Sequence, residues 1–390
     1  MIQAHVEQFA KAGSNLTVIS GRGDKASLPK SVNYIAIPEI DTLHPQITAL
    51  TEELNRGRVP GNFEQISAQI MNELRPIVRN IDHLIVHNVL TKHFNLPLTA
   101  AIYGLMDSGD LRRVLAICHD LTWSSPNSRD KVYPAYPWEL LKSVHTGVTY
   151  AVISAKRQQE IHSTFGLPIE QIPILYNGVD ASKIFNLTAG GRELIDHMDL
   201  WNSDLVMLMP VRITQAKNIE LALRLTAALK KMGYAPKLVV TGPPDPHSEV
   251  SMAYYQSLKE MRSQLGVTNE VFFVYEYGDG RHLVDMTVVS DLLRVTDLML
   301  MPSHREGFGM PILEAGLLGV PIFSTAVPAA VEIAKENFHL IEKDINAERL
   351  AVLVQTALAM KIEHRLRVEV RRNYTWKRIF EKDLLPLLEQ

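Results

Sequence analysis

Short apolar runs, each too short to be a globular helix, alternate along the whole chain with segments of helical period. Val18-Ile19, Ile35-Ala36-Ile37, Leu84-Ile85-Val86, Val114-Leu115-Ala116-Ile117 and Tyr150-Ala151-Val152-Ile153 form the first series, which ends near Ile174-Leu175. The second series runs through Leu205–Met209, Leu238-Val239-Val240, Val271–Val274, Leu298–Met301 and Ile322-Phe323. Continuous apolar runs mark strands buried on both faces, and helices between them imply parallel sheets. The fold class expected is α/β, with two doubly wound Rossmann-like domains in tandem facing a common cleft, because open α/β sheets bind ligands at strand C-termini. The polar stretch from Ala181 to Ser203, with Gly190-Gly191 inside it, is expected as the linker. The expected boundaries are therefore 1–185 for the first domain and 204–363 for the second. A charged helical segment, 364–390, is expected to cross back to the first domain. The chain opens with Ile2, Val6, Phe9 and Ala10 at helical spacing and Gly13 as a stop, where a doubly wound domain opens with a strand.

Hydrophobic residues make up 46% of the 390 and charged residues 21%, enough to bury full cores. The net charge of −3 gives no electrostatic footprint for nucleic acid. One cysteine, Cys118, rules out an intrachain disulfide and fits a reducing, cytoplasmic setting. No apolar run reaches the length of a transmembrane segment, and no secretory pattern is seen at the start. Oligomeric state is not legible.

Chemistry concentrates at the ends of the predicted strands. Ser303-His304-Arg305-Glu306-Gly307-Phe308-Gly309-Met310-Pro311-Ile312-Leu313-Glu314-Ala315 leaves the strand ending near Met301. Its glycines permit close backbone approach, and the amides of a helix starting at Met310 make an anion site that suits a diphosphate. Pro311 is compatible with helix initiation. Glu306 and Glu314 supply carboxylates to accept hydrogen bonds from vicinal hydroxyls. Arg212 leaves the first strand of the second domain and Lys217 opens the next helix, so a planar fork and a point charge can converge on one anion. In the first domain, His119 and Asp120 follow the strand ending at Cys118. The loop behind them carries Trp123, Arg129 and Lys131 and is expected on the acceptor side. Gly242-Pro243-Pro244 and the region Tyr275 to Arg281 are expected to border the nucleotide. No Asp-x-Asp triplet, no P-loop and no Cys/His zinc pattern is present, so no metal and no resident cofactor is expected.

The Glu-Gly-Phe-Gly-x-Pro-x-x-Glu-Ala run at 306–315 resembles the signature of glycosyltransferase family four, the glycosyl transferases group 1. So do Arg212 with Lys217-Asn218, Asn177-Gly178-Val179-Asp180, and His119-Asp120. The resemblance implies a GT-B fold, an acceptor domain followed by a donor domain, and a retaining hexosyltransferase using a nucleotide sugar. Carried over, Arg212 and Lys217 bind the donor diphosphate, Glu306 and the amides of Phe308 to Met310 contact sugar and phosphate, Glu314 binds the ribose, and His119 contacts a sugar hydroxyl or the reacting centre. The departing phosphate oxygen helps deprotonate the acceptor. The family's first strand and Gly-Gly loop, which precede the helix beginning here near Ile2, are not seen.

The stretch Glu39 to Asn80 mixes acids with arginines rather than presenting a basic face, which disfavours docking to anionic lipid and favours a small, soluble, polar acceptor. Mannose and glucose both remain open as the hexose. A non-catalytic nucleotide-sugar-binding protein and a GT-B nucleotide-sugar epimerase or phosphorylase are the alternatives.

Overall fold

The apolar runs are strands in the computed structural model, which describes residues 1–245, 248–277, 285–307 and 309–389. The chain divides into two compact units, Met1–Val179 with Trp376–Gln390, and Asp180–Thr375. No helix among the described residues is long and apolar enough to cross a membrane.

In the first unit, the helix Ile2–Lys11 precedes β1 (Thr17–Ser20), which pairs in parallel with β2 (Asn33–Ala36). A second parallel sheet joins β3 (Leu84–His87), β4 (Val114–Cys118) and β5 (Val148–Val152), in that order. All five residues of β4 are buried, as befits a strand covered on both faces. The helices Phe63–Val78 and Leu96–Asp107 bury one face of the unit, through Phe63, Ile70, Leu96 and Leu105. The last residues of the chain close the opposite face. Ile379, Phe380 and Leu384 pack with Phe9, Leu115 and Ile117, and the Phe9 and Phe380 rings meet edge to face at 4.9 Å.

The second unit holds one six-stranded parallel sheet. Its strands are β6 (Leu205–Met209), β7 (Pro236–Val240), β8 (Val271–Phe273), β9 (Leu298–Met301), β10 (Ile322–Ser324) and β11 (His339–Leu340). The spatial order is β11-β10-β9-β6-β7-β8. Counting from β6, this is the doubly wound order 3-2-1-4-5-6, whose winding reverses between β6 and β9. Two Rossmann-like α/β units in one chain are the composition of a GT-B protein.

Two departures from the sequence expectation have local causes. The stretch 181–203 is not a linker but part of the second unit, with helices Ala181–Ile184 and Ala189–His197. Thr188 caps the second of these, and its N–H and hydroxyl both donate to the fully buried carboxylate of Asp291, at 2.9 and 2.6 Å. Leu187, Ile195, Met198 and Leu200 then enter the second unit's core. At the far end, 364–375 stay with the second unit, and only the residues from Trp376 join the first. Arg371, buried, donates to Ser203 O and Asp297 and holds the helix Ile362–Asn373 at the start of the sheet. The crossing points lie side by side, Trp376 N donating to Val179 O.

Candidate functional site

The two strongest sequence motifs leave β6 and β9, the neighbouring strands at which the sheet's winding reverses. After β6, the chain turns through Val211 and Arg212 to Lys217 and the helix Ile219–Lys231. After β9, it runs through Ser303 to the helix Met310–Leu317. The loops are laced together, His304 N donating to Ala216 O at 2.8 Å. Lys217 Nζ and Glu306 Oε2 lie 2.7 Å apart with both side chains largely buried. The other oxygen, Oε1, accepts from Ser303 Oγ at 2.5 Å, and Ser303 O accepts from Thr325 Oγ1 in the loop after β10. Glu306 is thus fixed by two partners, and Lys217 is held to one carboxylate.

Gly309 opens the helix at φ +81°, a left-handed conformation that costs a residue with a Cβ. It has no side chain to cap the first amides, which leaves the dipole's positive end for an anion. Met310 is exposed at the first helical position and Pro311 follows it. Glu314, half-buried, sits one turn further on. Gly307 is exposed, and Phe308 lies outside the described residues, as do Gly278 to Arg281 of the region expected near the base. Arg212 is exposed on its turn. Gly242, after β7, packs so closely on that turn that a Cβ would come within 2.3 Å of Val211 O.

The residues read from the first unit gather around the ends of β3 and β4. His119 and Asp120 follow β4, and both their backbone N–H groups donate to Asn88 Oδ1, at 2.7 and 3.2 Å. Asn88 adopts φ +61°, which asparagine tolerates better than most residues. Burial holds the His119 imidazole below its ordinary value, with Asp120 pulling the other way. Asp120 is ion-paired with Arg157 at 2.6 Å. Trp123 donates its indole N–H to Trp138 O at 3.3 Å, with Lys142 over its ring at 4.4 Å. Arg129 is exposed at the start of a short helical turn, Arg129–Lys131. Cys118 is buried and its thiol is pushed up to about 12 by burial, so it packs rather than reacts. Among the described residues no group of three or more His, Cys, Asp or Glu is placed to hold a metal ion.

Asn88, Arg157, Ser303 and Thr325 were not singled out from sequence. Asn88 alone carried a usable signal, since it directly follows the apolar run that becomes β3, as His119 follows β4.

The sequence model of the family described as Glycosyl transferases group 1 matches residues 196–373. Those residues form a group 1 glycosyltransferase domain. Both laced loops, with Arg212, Lys217, Glu306 and Glu314, fall inside it. Among curated relatives, the mannosylglucosylglycerate synthase of Petrotoga mobilis is 24% identical over 294 residues, covering 72% of this chain and 67% of that protein. A D-inositol 3-phosphate glycosyltransferase of Actinosynnema mirum is 32% identical over 160 residues, covering 40% and 36%. An uncharacterized glycosyltransferase of Methanocaldococcus jannaschii is 26% identical over 198 residues, and the match spans 50% of this chain and 46% of that protein. Among solved structures, a glycosyltransferase from Rickettsia africae is 18% identical, with TM-score 0.36 over 99% of this chain and 93% of the other. Anabaena Alr3699/HepE in complex with UDP is 16% identical, with TM-score 0.37 over 99% and 95%.

Proposed function

We propose that the chain is a retaining, metal-independent glycosyltransferase of family four, moving a hexose, mannose or glucose, from a nucleotide-diphosphate sugar to a hydroxyl of a small soluble acceptor. The observation that carries this reading is the position of Lys217, Glu306 and the uncapped helix at Gly309 on the two loops where the group 1 domain's winding reverses. Cations and helix amides gathered at such a point suit a diphosphate. The Petrotoga relative, a mannosylglucosylglycerate synthase, supports a hexose and a small polar acceptor.

In this reading, Arg212 and Lys217 and the first amides of the helix Met310–Leu317 receive the diphosphate. Glu306, already fixed by Ser303, accepts from a hydroxyl of the transferred sugar. Glu314 accepts from the ribose. His119 hydrogen-bonds a sugar hydroxyl, and Asp120, Trp123 and Arg129 belong to the acceptor side. The glycosidic carbon–phosphate oxygen bond breaks as the acceptor oxygen bonds to the same carbon from the same face. The acceptor's proton passes to the departing phosphate. Fixed donors aimed at the charge that grows on that phosphate supply the main rate term.

The test is turnover of GDP-mannose and UDP-glucose with sugar-acid and sugar-alcohol acceptors in the presence of EDTA. We expect a product with the donor's anomeric configuration, formed equally well with the chelator. An inverted product overturns the retaining mechanism. Activity abolished by EDTA and restored by a divalent cation overturns metal independence. Transfer to membrane-lipid acceptors alone overturns the soluble acceptor.

A further inference from the structure

Three imidazoles lie close together in the first unit, His87 meeting both of the others. His87 is the last residue of β3, where it pairs with Ile117 of β4, and His119 follows β4 two residues later. Asn88 stitches the two strand ends together through the backbone N–H groups of His119 and Asp120. His87 Nδ1 lies 3.4 Å from His119 Nε2, and the rings are stacked with centroids 5.8 Å apart and planes 20° from parallel. His5, from the first helix, also meets the His87 ring, with centroids 5.5 Å apart. His5 is 5% exposed, neither of its ring nitrogens has a hydrogen-bond partner among the described residues, and Trp376 meets its ring edge-on at 5.4 Å.

Two facing imidazole nitrogens attract only when one carries a proton and the other a lone pair. Two N–H groups, or two lone pairs, repel. Burial favours neutral rings: it holds His87 down at about 3, with His5 and His119 adding to the effect, and His5 at about 4. Among the described residues, the amino group of Met1 and Asp120, itself paired with Arg157, are the charged groups that act on His119. A neutral His119 therefore has its Nε2 role coupled to that of His87 Nδ1, one donating and the other accepting, and its Nδ1 takes the role opposite to its Nε2, because a neutral ring has one donor and one acceptor.

We propose that His87 is a positioning residue that fixes the ring plane and tautomer of His119, so that His119 Nδ1 meets a sugar hydroxyl in one defined hydrogen-bonding role. This rests on the assignment of His119 to a sugar hydroxyl. It assigns a function to the imidazole that ends β3, which the sequence motifs pass over.

The experiment is nitrogen-15 NMR of histidine-labelled protein, with His119 assigned through His119→Gln. We expect His119 to show one neutral tautomer at pH 8. In His87→Leu its ring nitrogens should move toward the averaged values of a mixed tautomer population, with kcat down about tenfold or more and the donor KM within about threefold. His87→Asn, which keeps a donor and an acceptor near the same place, should restore part of both readouts, and it stands in if the leucine variant does not fold. Unchanged His119 nitrogen shifts in both variants overturn the proposal. If the wild-type protein turns over no sugar nucleotide, the functional reading fails separately, because the NMR readout needs no activity.

Discussion

Lys217 and Glu306 hold opposite charges 2.7 Å apart in a largely buried setting, and each is useful to a ligand for a different reason. In the proposed reading an entering diphosphate competes with Glu306 for the ammonium, while Ser303 keeps the carboxylate in place. Lys217→Ala removes a charge-assisted contact and leaves Glu306 with one partner fewer. Loss of such a contact is worth about 2 kcal/mol, so kcat/KM for the donor should fall roughly thirtyfold. Unchanged steady-state kinetics would remove Lys217 from the diphosphate role. Glu306→Gln keeps the shape and the Ser303 contact but loses the ion pair. It should leave the nucleoside diphosphate's Kd, measured by calorimetry, equal or tighter while lowering kcat for the complete donor. Weaker binding of the sugar-free diphosphate would show that Glu306 serves the phosphates rather than the sugar.

Elements place these side chains, and two backbone features set the elements. Gly309 starts its helix at positive φ, and a Cβ there would lie 3.1 Å from both Ala329 Cβ and Ile312 Cδ1. Gly309→Ala should cost about 1 kcal/mol in urea unfolding and raise the donor KM, because the strain falls on the turn that presents the amides. A normal KM in a destabilised variant would separate the turn from the ligand. The tether between Thr188 and Asp291 does comparable work for 181–203. Asp291→Ala strands the Thr188 N–H and hydroxyl and the Arg294 guanidinium, and should cost about 3 kcal/mol by the urea midpoint. These cases show why legibility stopped where it did. Strands β1 to β10 were visible because each is an apolar run, and a buried parallel strand has little else to say. The two-residue β11, His339–Leu340, is too short to leave a pattern. The stretch 181–203 read as a linker because Leu187, Ile195, Met198 and Leu200 are scattered among polar residues, and only the Asp291 carboxylate, a hundred residues on, makes them a core. The motif from Ser303 to Ala315 and the pair Arg212 and Lys217 stood out in the sequence by their residue types at strand ends. That Lys217 faces Glu306, or that Asn88 and His87 lie against His119, depends on strand order and register, which no local window contains.

At the scale of the whole molecule, buried imidazoles set the response to acid. His5 is held at about 4 and His87 at about 3, in both cases first by burial. An unfolded imidazole titrates near 6.5. Below about pH 6.5 the unfolded chain therefore binds protons that the folded chain refuses, so the stability these rings contribute is present at neutral pH and falls as pH drops through 6.5 toward 4. Urea midpoints at pH 7.5, 5.5 and 4.5 should decline in that order, and His5→Phe should flatten the decline. An equal slope in the variant would mean that His5 is not a source of it. The connectivity bears on how the molecule is made. The second unit is continuous in sequence, Asp180–Thr375, whereas the first needs Trp376–Gln390 to cover Phe9, Leu115 and Ile117. During synthesis, the half of the chain that leaves the ribosome first must wait, its apolar sheet face bare, until the final turns emerge, and the later-made half can mature before it.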